Sequence, residues 1–198
     1  MSAKHYIFGY GSLISSSSRR ITGIAGDSVA VRVAGLERTW VGWQGTGMRA
    51  VAARPMIGAS CNGVLFDVPA TELEKFDARE THYQRVALDL TQIDYLVPQQ
   101  ALEASCQVWV YVYNHNGCHL NDAPIVQSYL DVIVLGCNEI APNFAQEFIQ
   151  HTLNWSYWHD DRHNPVYPRA QAHQQGQNID QLLAQLLPQA FTQRVLAP

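Results

Sequence analysis

Apolar residues alternate with polar or small residues along much of the first half of the chain, which predicts β-strands. From Val29 to Val33, valine occupies every second position, as expected of a strand with two unlike faces. Residues 108–113 are instead continuously β-branched or aromatic, which is typical of a strand that is buried on both sides or closes a barrel. Similar apolar runs predict strands at residues 5–10, 39–43, 49–54, 61–68 and 83–90.

After about residue 120 the apolar period becomes that of helices. Apolar residues recur at helical spacing from Ile125 to Val134, before Gly136, which we expect to end a helix. Two further helices are predicted to begin at Pro142 and near Asn178. The serines at 15–18 and the glutamine-rich segment 170–177 are interpreted as solvated loops.

One short helix interrupts the predicted strands. Thr71 and Glu74 have the spacing of a capping box, and Leu73 and Phe76 supply an apolar face. Glu80 then lies between this helix and the next strand, where two regular elements would hold its carboxylate. Because strands come first and helices follow with little alternation, the pattern predicts an α+β fold. At 198 residues the chain is expected to form one domain, residues 1–198.

Composition and charge narrow the classes of function. The chain is 47% hydrophobic and 15% charged, which is typical of a folded globular protein. Its net charge is −4 and it has no basic run, so we expect no nucleic-acid partner. No segment has the roughly 20 apolar residues of a membrane span, and no signal peptide is recognised at the N-terminus. The four cysteines form no C-x-x-C pair, and we expect reduced thiols and a cytoplasmic protein.

The heptapeptide Phe8–Ile14 is an apolar strand that runs into a small-residue turn. It is not a dinucleotide fingerprint, because Ile14 stands where the third glycine belongs. Ser12 is not at a nucleophile elbow, because its neighbours two residues away are Tyr10 and Ile14, not glycines. Two interpretations remain, an ordinary tight turn or a backbone cradle whose N–H groups hold a carboxylate.

Glu80 also has two interpretations. It could be a surface acid paired with Arg79 or Arg85. Alternatively, the apolar residues around it would raise its pKa, so that it could exchange protons near neutral pH. The Tyr83 hydroxyl could then hold Glu80 or a substrate, or the ring could simply pack in the core.

Two groups of polar residues near the C-terminal half could in principle bind a metal, but neither has recognised zinc spacing, and we predict no metal site. The groups are His115, Cys118 and His119, and His159, Asp160, Asp161 and His163. The segment from Trp155 to Arg169 is unusually rich in polar and aromatic residues. It is either a structural strap, or it brings Arg162 or Arg169 to the pocket to bind a second carboxylate of the substrate.

Two ordered motifs resemble the γ-glutamylcyclotransferase family. The first is Tyr10-Gly11-Ser12-Leu13, and the second is Asp77-Ala78-Arg79-Glu80 followed by Tyr83-Gln84-Arg85. The resemblance covers about residues 5–115 well and continues more loosely to Arg169. It implies a small mixed β-barrel flanked by helices, with a barrel core at about 5–115 and a helical C-terminal part at about 120–198.

The resemblance also implies a reaction on a small γ-glutamyl substrate without a cofactor. The substrate's own α-amine would attack its γ-carbonyl and release 5-oxoproline and an amine or amino acid. Glu80 would be the catalytic residue, and the substrate-binding residues would be Tyr10, Gly11, Ser12, Leu13, Tyr83 and Arg169. A non-catalytic binding module and an amide hydrolase stay open as alternatives. The sequence fixes neither the leaving group nor the oligomeric state.

Overall fold

The computed structural model describes residues 4–42, 46–98, 102–113, 123–170 and 176–197. The strands in these ranges are β1 (His5–Gly9), β2 (Ser28–Gly42), β3 (Arg49–Val68), β4 (Tyr83–Leu88), β5 (Ile93–Tyr95), β6 (Gln107–Tyr113), β7 (Ile125–Val126), β8 (Thr152–Leu153), β9 (Trp158–Asp160) and β10 (Val195–Leu196). The α-helices are α1 (Ser16–Thr22), α2 (Leu73–Arg79), α3 (Gln127–Asn138), α4 (Pro142–Gln150), α5 (Gly176–Leu186) and α6 (Pro188–Thr192). Short 3₁₀ helices span Ser12–Ile14, Ala70–Glu72 and Leu90–Gln92.

Seven strands form one mixed sheet in the order β4-β6-β1-β3-β2-β5, with β8 paired to β2. β1 runs antiparallel to β3 and parallel to β6, which is internal, as its apolar sequence predicted. β3 also touches β6 at Ala53 and Val112. The α+β class is therefore confirmed. The predicted barrel is not: β4 and β5, the ends of the strand path, do not pair with each other in the described ranges, so the sheet is not closed.

β2 and β3 are much longer than the separate strands predicted from the sequence. They pair from Ser28 to Gly42, with one irregularity at Gly35, whose φ of 81° is in the left-handed region. Ala34 is opposite Ser60 and Leu36 is opposite Pro55, so residues 56–59 of β3 bulge out of the ladder. A bulge bends a strand without ending it, which explains why the sequence suggested a break there.

Three local predictions about helices are wrong. The serines at 15–18 are not a loop: Ser15 caps α1 by accepting from Ser18 N, and both residues are buried. Thr71 and Glu74 make no capping box, because Thr71 lies inside a 3₁₀ helix before α2. Gly136 does not end α3, which continues to Asn138. A Cβ at Gly136 would lie 2.5 Å from the Ser15 backbone nitrogen, so this glycine permits close packing of α3 on the start of α1.

One continuous cluster of buried apolar side chains joins the sheet to helices α3, α4 and α5. Arg38 of β2 lies fully buried within it and is stacked on the Phe148 ring, with its guanidinium carbon 3.9 Å from the ring centroid. Its guanidinium donates to Asn62, Thr152 and the Phe148 carbonyl at 2.7–3.0 Å. Arg38 thus links the sheet to helix α4 through hydrogen bonds. No helix in the described part of the chain is long and apolar enough to cross a membrane.

Candidate active site

A cavity of about 310 Å³ opens beside the C-terminal end of β1. All the residues predicted for the site line it: Tyr10, Gly11, Ser12, Leu13, Glu80, Tyr83 and Arg169. The sequence reasoning did not assign the remaining lining residues to the site: Phe8, Gly9, Thr46, Met48, Ala50, Val51, Arg79, His82, Tyr111, Tyr129, Tyr167 and Pro168. Cavities of this size hold small ligands. Segments that are distant in the sequence therefore line one cavity that is large enough for a small ligand.

The first wall is the turn from β1 into the 3₁₀ helix Ser12–Ile14. A Cβ at Gly9 would lie 2.8 Å from the Leu13 Cβ, so a larger residue would push the turn outwards. Gly11 precedes the helix, and its carbonyl accepts from Ile14 N at 2.8 Å. The first N–H groups of a helix have no intrahelical acceptor. The turn can therefore offer backbone donors to an anion in the cavity.

Glu80 lies at the C-terminal end of α2, where its backbone N–H donates to the Phe76 carbonyl at 3.0 Å. Its backbone carbonyl accepts from Tyr83 N at 2.9 Å, which joins the helix end directly to β4. The side chain is only 16% exposed. Burial raises the pKa of this carboxyl above its ordinary value, although the Arg79 and Arg169 charges oppose the shift. Glu80 is thus a cavity carboxyl whose charged form is poorly solvated.

Arg79 reaches from α2 across the cavity to the first wall. Its Nε lies 3.0 Å from Glu80 Oε1, its Nη2 donates to Ser12 Oγ at 2.9 Å, and its Nη1 donates to Thr22 Oγ1 at 2.5 Å. Nη1 and Nη2 also reach the Ser18 carbonyl and hydroxyl. The Glu80–Arg79 pairing considered from the sequence therefore exists, but inside the cavity. The sequence offered no sign that Arg79 would also hold the cradle turn.

Several tyrosines also line the cavity. Tyr83 donates to the Val51 carbonyl at 3.0 Å, and Tyr10 donates to the Tyr111 carbonyl. Tyr129 interacts with the Ser12 side chain and the Val51 backbone. Burial raises the pKa of Tyr10, Tyr111 and Tyr129, so these phenols are neutral at physiological pH. The sequence placed Tyr129 among the apolar positions of a helix and in the looser part of the family resemblance, but not in the site, because its hydroxyl partners are distant in the sequence.

The C-terminal segment provides the last wall, with Tyr167, Pro168 and Arg169. Arg169 Nη1 donates to Thr22 Oγ1 at 2.8 Å and to the Ser18 carbonyl at 3.4 Å. Arg162 is placed differently. Its Nε lies 2.6 Å from Asp131 and its Nη1 lies 2.9 Å from Asp180, and it does not line the cavity in the described part of the chain. Of the two arginines considered from the sequence, only Arg169 borders the cavity.

The gamma-glutamyl cyclotransferase, AIG2-like family matches residues 7–129 of the chain, a segment that includes the cradle turn, Glu80 and Tyr129. The chain belongs to this family. The resemblance read from Tyr10–Leu13 and Asp77–Glu80 is therefore confirmed. No curated protein sequence matches the chain.

Solved structures share the fold with this family member at low identity. One named gamma-glutamyl cyclotransferase has a TM-score of 0.57 and 15% identity, over 73% of this chain and 86% of the other. An uncharacterised human protein has a TM-score of 0.57 and 15% identity, over 74% and 87% of the two chains. Bacillus subtilis YkqA has a TM-score of 0.54 and 18% identity, over 75% and 54%. Similarity at these identities concerns the fold.

Neither group of metal-binding candidates is supported as a site in this cyclotransferase-family chain. His115, Cys118 and His119 lie outside the described residues. Within the described ranges, no cluster of three or more His, Cys, Asp or Glu residues could hold a metal ion. Asp161 has a structural role, since it accepts from the Ser128 and Val166 backbone N–H groups.

Proposed function

We propose that this protein cyclises the γ-glutamyl group of a small γ-glutamyl amide or peptide, producing 5-oxoproline and the released amine or amino acid. The observation that carries this proposal is the position of Glu80. Its carboxyl is nearly buried, its pKa is raised by burial, and it shares one cavity with the turn that can bind an anion. Membership of the gamma-glutamyl cyclotransferase, AIG2-like family supports the same reaction.

Glu80 would move one proton between two nitrogens. The substrate's α-ammonium loses one proton to solvent, and the resulting α-amine attacks its own γ-carbonyl carbon to form the ring C–N bond. The Glu80 carboxylate takes the proton that the attacking nitrogen loses, and then gives it to the leaving nitrogen as the amide C–N bond breaks. The reaction needs no metal or organic cofactor, because the nucleophile belongs to the substrate. A carboxyl with a raised pKa suits this work, because a proton carrier is most effective when its pKa is near the working pH.

The other lining residues would hold the substrate folded for attack. Backbone N–H groups from Gly11 to Leu13 would bind the α-carboxylate, and Tyr10 and Tyr83 would shape the cavity around the γ-glutamyl unit. Arg169 would contribute to binding from the C-terminal wall. Holding the amine close to the carbonyl removes much of the entropic barrier to an intramolecular reaction.

The test is the formation of 5-oxoproline from a panel of γ-glutamyl dipeptides and γ-glutamyl alkylamides. The Glu80→Gln variant should keep the fold and lose about 10²–10⁴-fold in kcat, because the amide cannot accept the proton. Glu74→Gln is the matched control, since Glu74 is an exposed residue of the same helix, α2. If Glu80→Gln keeps more than about a tenth of the wild-type rate, Glu80 is not the proton carrier.

Two alternatives give different products in the same assay. An amide hydrolase would release glutamate, and a binding module would bind the substrates without releasing any product. We also propose that residues 1–198 form a single domain and that the protein is cytoplasmic. The free thiols of Cys61, Cys106 and Cys137 support a reducing compartment.

A further inference from the structure

Three arginines near the C-terminal wall differ in how many of their guanidinium nitrogens are occupied. Arg79 uses all three, on Glu80, Ser12, Ser18 and Thr22. Arg162 also uses all three, on the carboxylates of Asp131, Asp160 and Asp180. Only Nη1 of Arg169 has acceptors among the described residues. Its Nε and Nη2 are therefore available to a ligand.

The charges of the cavity are not balanced. Among the described lining residues, Arg79 and Arg169 are cationic and Glu80 is the only carboxylate. Arg79 and Arg169 share the Thr22 hydroxyl, so the two positive charges lie close together. Burial, and next the Arg79 charge, lower the pKa of Arg169, while Tyr167 and Glu80 oppose the shift. Counted over the arginines and carboxylates alone, the described lining has one positive charge in excess.

A substrate can balance this charge only if it is a net anion. In the γ-glutamyl unit the α-ammonium and the α-carboxylate cancel, so a γ-glutamyl alkylamine has no net charge. A γ-glutamyl amino acid has one more carboxylate, which belongs to its leaving group. The α-carboxylate already has a proposed partner in the Gly11–Leu13 turn. The second carboxylate would therefore meet the two available nitrogens of Arg169, whose planar geometry matches a carboxylate.

We propose that Arg169 binds the carboxylate of the leaving group, which makes γ-glutamyl amino acids and peptides the substrate class of this cavity in preference to γ-glutamyl alkylamines. This inference rests on the proposed cyclotransferase function, and it names the part of the substrate that Arg169 selects.

The test uses two substrates that differ by a single carboxylate, γ-glutamyl-alanine and γ-glutamyl-ethylamide. The wild-type protein should favour γ-glutamyl-alanine by about 10- to 100-fold in kcat/KM, the value of a charge-assisted contact. In Arg169→Gln this ratio should fall towards one, mainly through KM for γ-glutamyl-alanine. Arg169→Lys should lie between, because lysine keeps the charge and loses the planar contact. Arg162→Lys is the matched control and should preserve the ratio.

Two results would overturn the inference. One is an unchanged substrate ratio in Arg169→Gln. The other is an equal loss on both substrates, which would place Arg169 on the γ-glutamyl unit or in the fold. If neither substrate gives 5-oxoproline, the proposed function fails, and calorimetry still tests the subsite. Tighter binding of γ-glutamyl-alanine than of the ethylamide, lost in Arg169→Gln, would support the subsite, and equal binding would remove it.

Discussion

The carboxylate of Asp161 accepts a hydrogen bond from the backbone N–H of Ser128 at 2.7 Å and another from the Ser128 hydroxyl at 2.5 Å. This contact replaces the missing side-chain cap of α3, whose N-cap residue is Val126. The Ser128 hydroxyl in turn accepts from the Tyr167 backbone N–H at 3.2 Å. The start of α3 is thereby joined to the C-terminal wall of the cavity.

The first prediction concerns this junction. Asp161→Asn should lower the free energy of unfolding by about 1–3 kcal/mol, because the fully buried Asp161 loses one of two acceptor oxygens. KM should also rise, since Asp161 accepts from the backbone N–H of Val166, the residue directly before Tyr167, while kcat should change less. Denaturant unfolding and steady-state kinetics measure the two effects. The exposed Asp94 offers the control Asp94→Asn. A loss of stability with an unchanged KM would separate the junction from substrate binding.

The pH dependence of activity follows from the raised pKa of Glu80. Only the ionised carboxylate can accept the proton, so kcat should fall as the pH drops through this pKa. The acid limb of the kcat profile should therefore lie above 4.5, the ordinary value for a glutamate. Initial rates measured across the acid range check this. An acid limb at or below 4.5 would mean that Glu80 behaves as a solvated side chain in the enzyme–substrate complex.

Ionisation of Glu80 should increase activity but lower the stability of the fold. Because the folded-state pKa of Glu80 is raised, its contribution to stability is full below the unfolded value of 4.5 and is lost as the pH rises through the folded value. Glu80→Gln is neutral at every pH, so it should be more stable than the wild type at pH 7, and the difference should close near pH 4. Thermal unfolding at both pH values measures this, with Glu74→Gln in parallel. A less stable Glu80→Gln at pH 7 would show that the Arg79 ion pair outweighs the cost of burial.

Cysteine alkylation and metal chelation should leave activity intact. Burial raises the pKa of Cys61 to about 11 and that of Cys137 to about 12, so neither forms a reactive thiolate at neutral pH. The proposed reaction uses the substrate amine as nucleophile and no metal. Activity is measured after treatment with iodoacetamide or a strong chelator, with circular dichroism as the control for folding. Inactivation of a folded protein would direct attention to Cys118, His115 and His119.

The parts of the fold that were predicted correctly are determined by residues that are close together in the sequence. The internal strand β6 is recognisable from its unbroken run of β-branched and aromatic residues, and helix α4 from apolar residues that recur at helical spacing. The serines at 15–18 were misread because a polar run normally lies in solvent. Here Arg79 hydrogen-bonds Ser18, so the polar groups can be buried without cost. Gly136 was wrongly interpreted as the end of a helix. A glycine fits there because α3 packs closely on Ser15, and no local sequence pattern can show that contact.

The residues of the candidate site also include some that local sequence motifs predicted and some that they did not. Glu80 and the Tyr10–Leu13 turn stand in two compact motifs, so the sequence was sufficient to select them. Arg79 and Tyr129 were missed because an arginine in a helix usually faces solvent and a tyrosine in an apolar stripe usually packs in the core. Their place in the site depends on contacts with Ser12, which is remote from both in the chain. Local patterns locate Glu80, and the tertiary fold supplies its neighbours in the cavity.

The cavity is lined by segments of the chain that are synthesised at different times. The Tyr10–Leu13 turn is synthesised first, then Glu80, and the wall of Tyr167 and Arg169 comes much later. A chain that stops before Tyr167 would lack this wall, so Glu80 and the Tyr10–Leu13 turn would border a more open cavity. The finished enclosure would arise only when residues 167–169 close over the groups made first. A chain that ends ahead of this wall would keep Glu80 and the Tyr10–Leu13 turn but would lack Arg169, the side chain proposed to select the substrate.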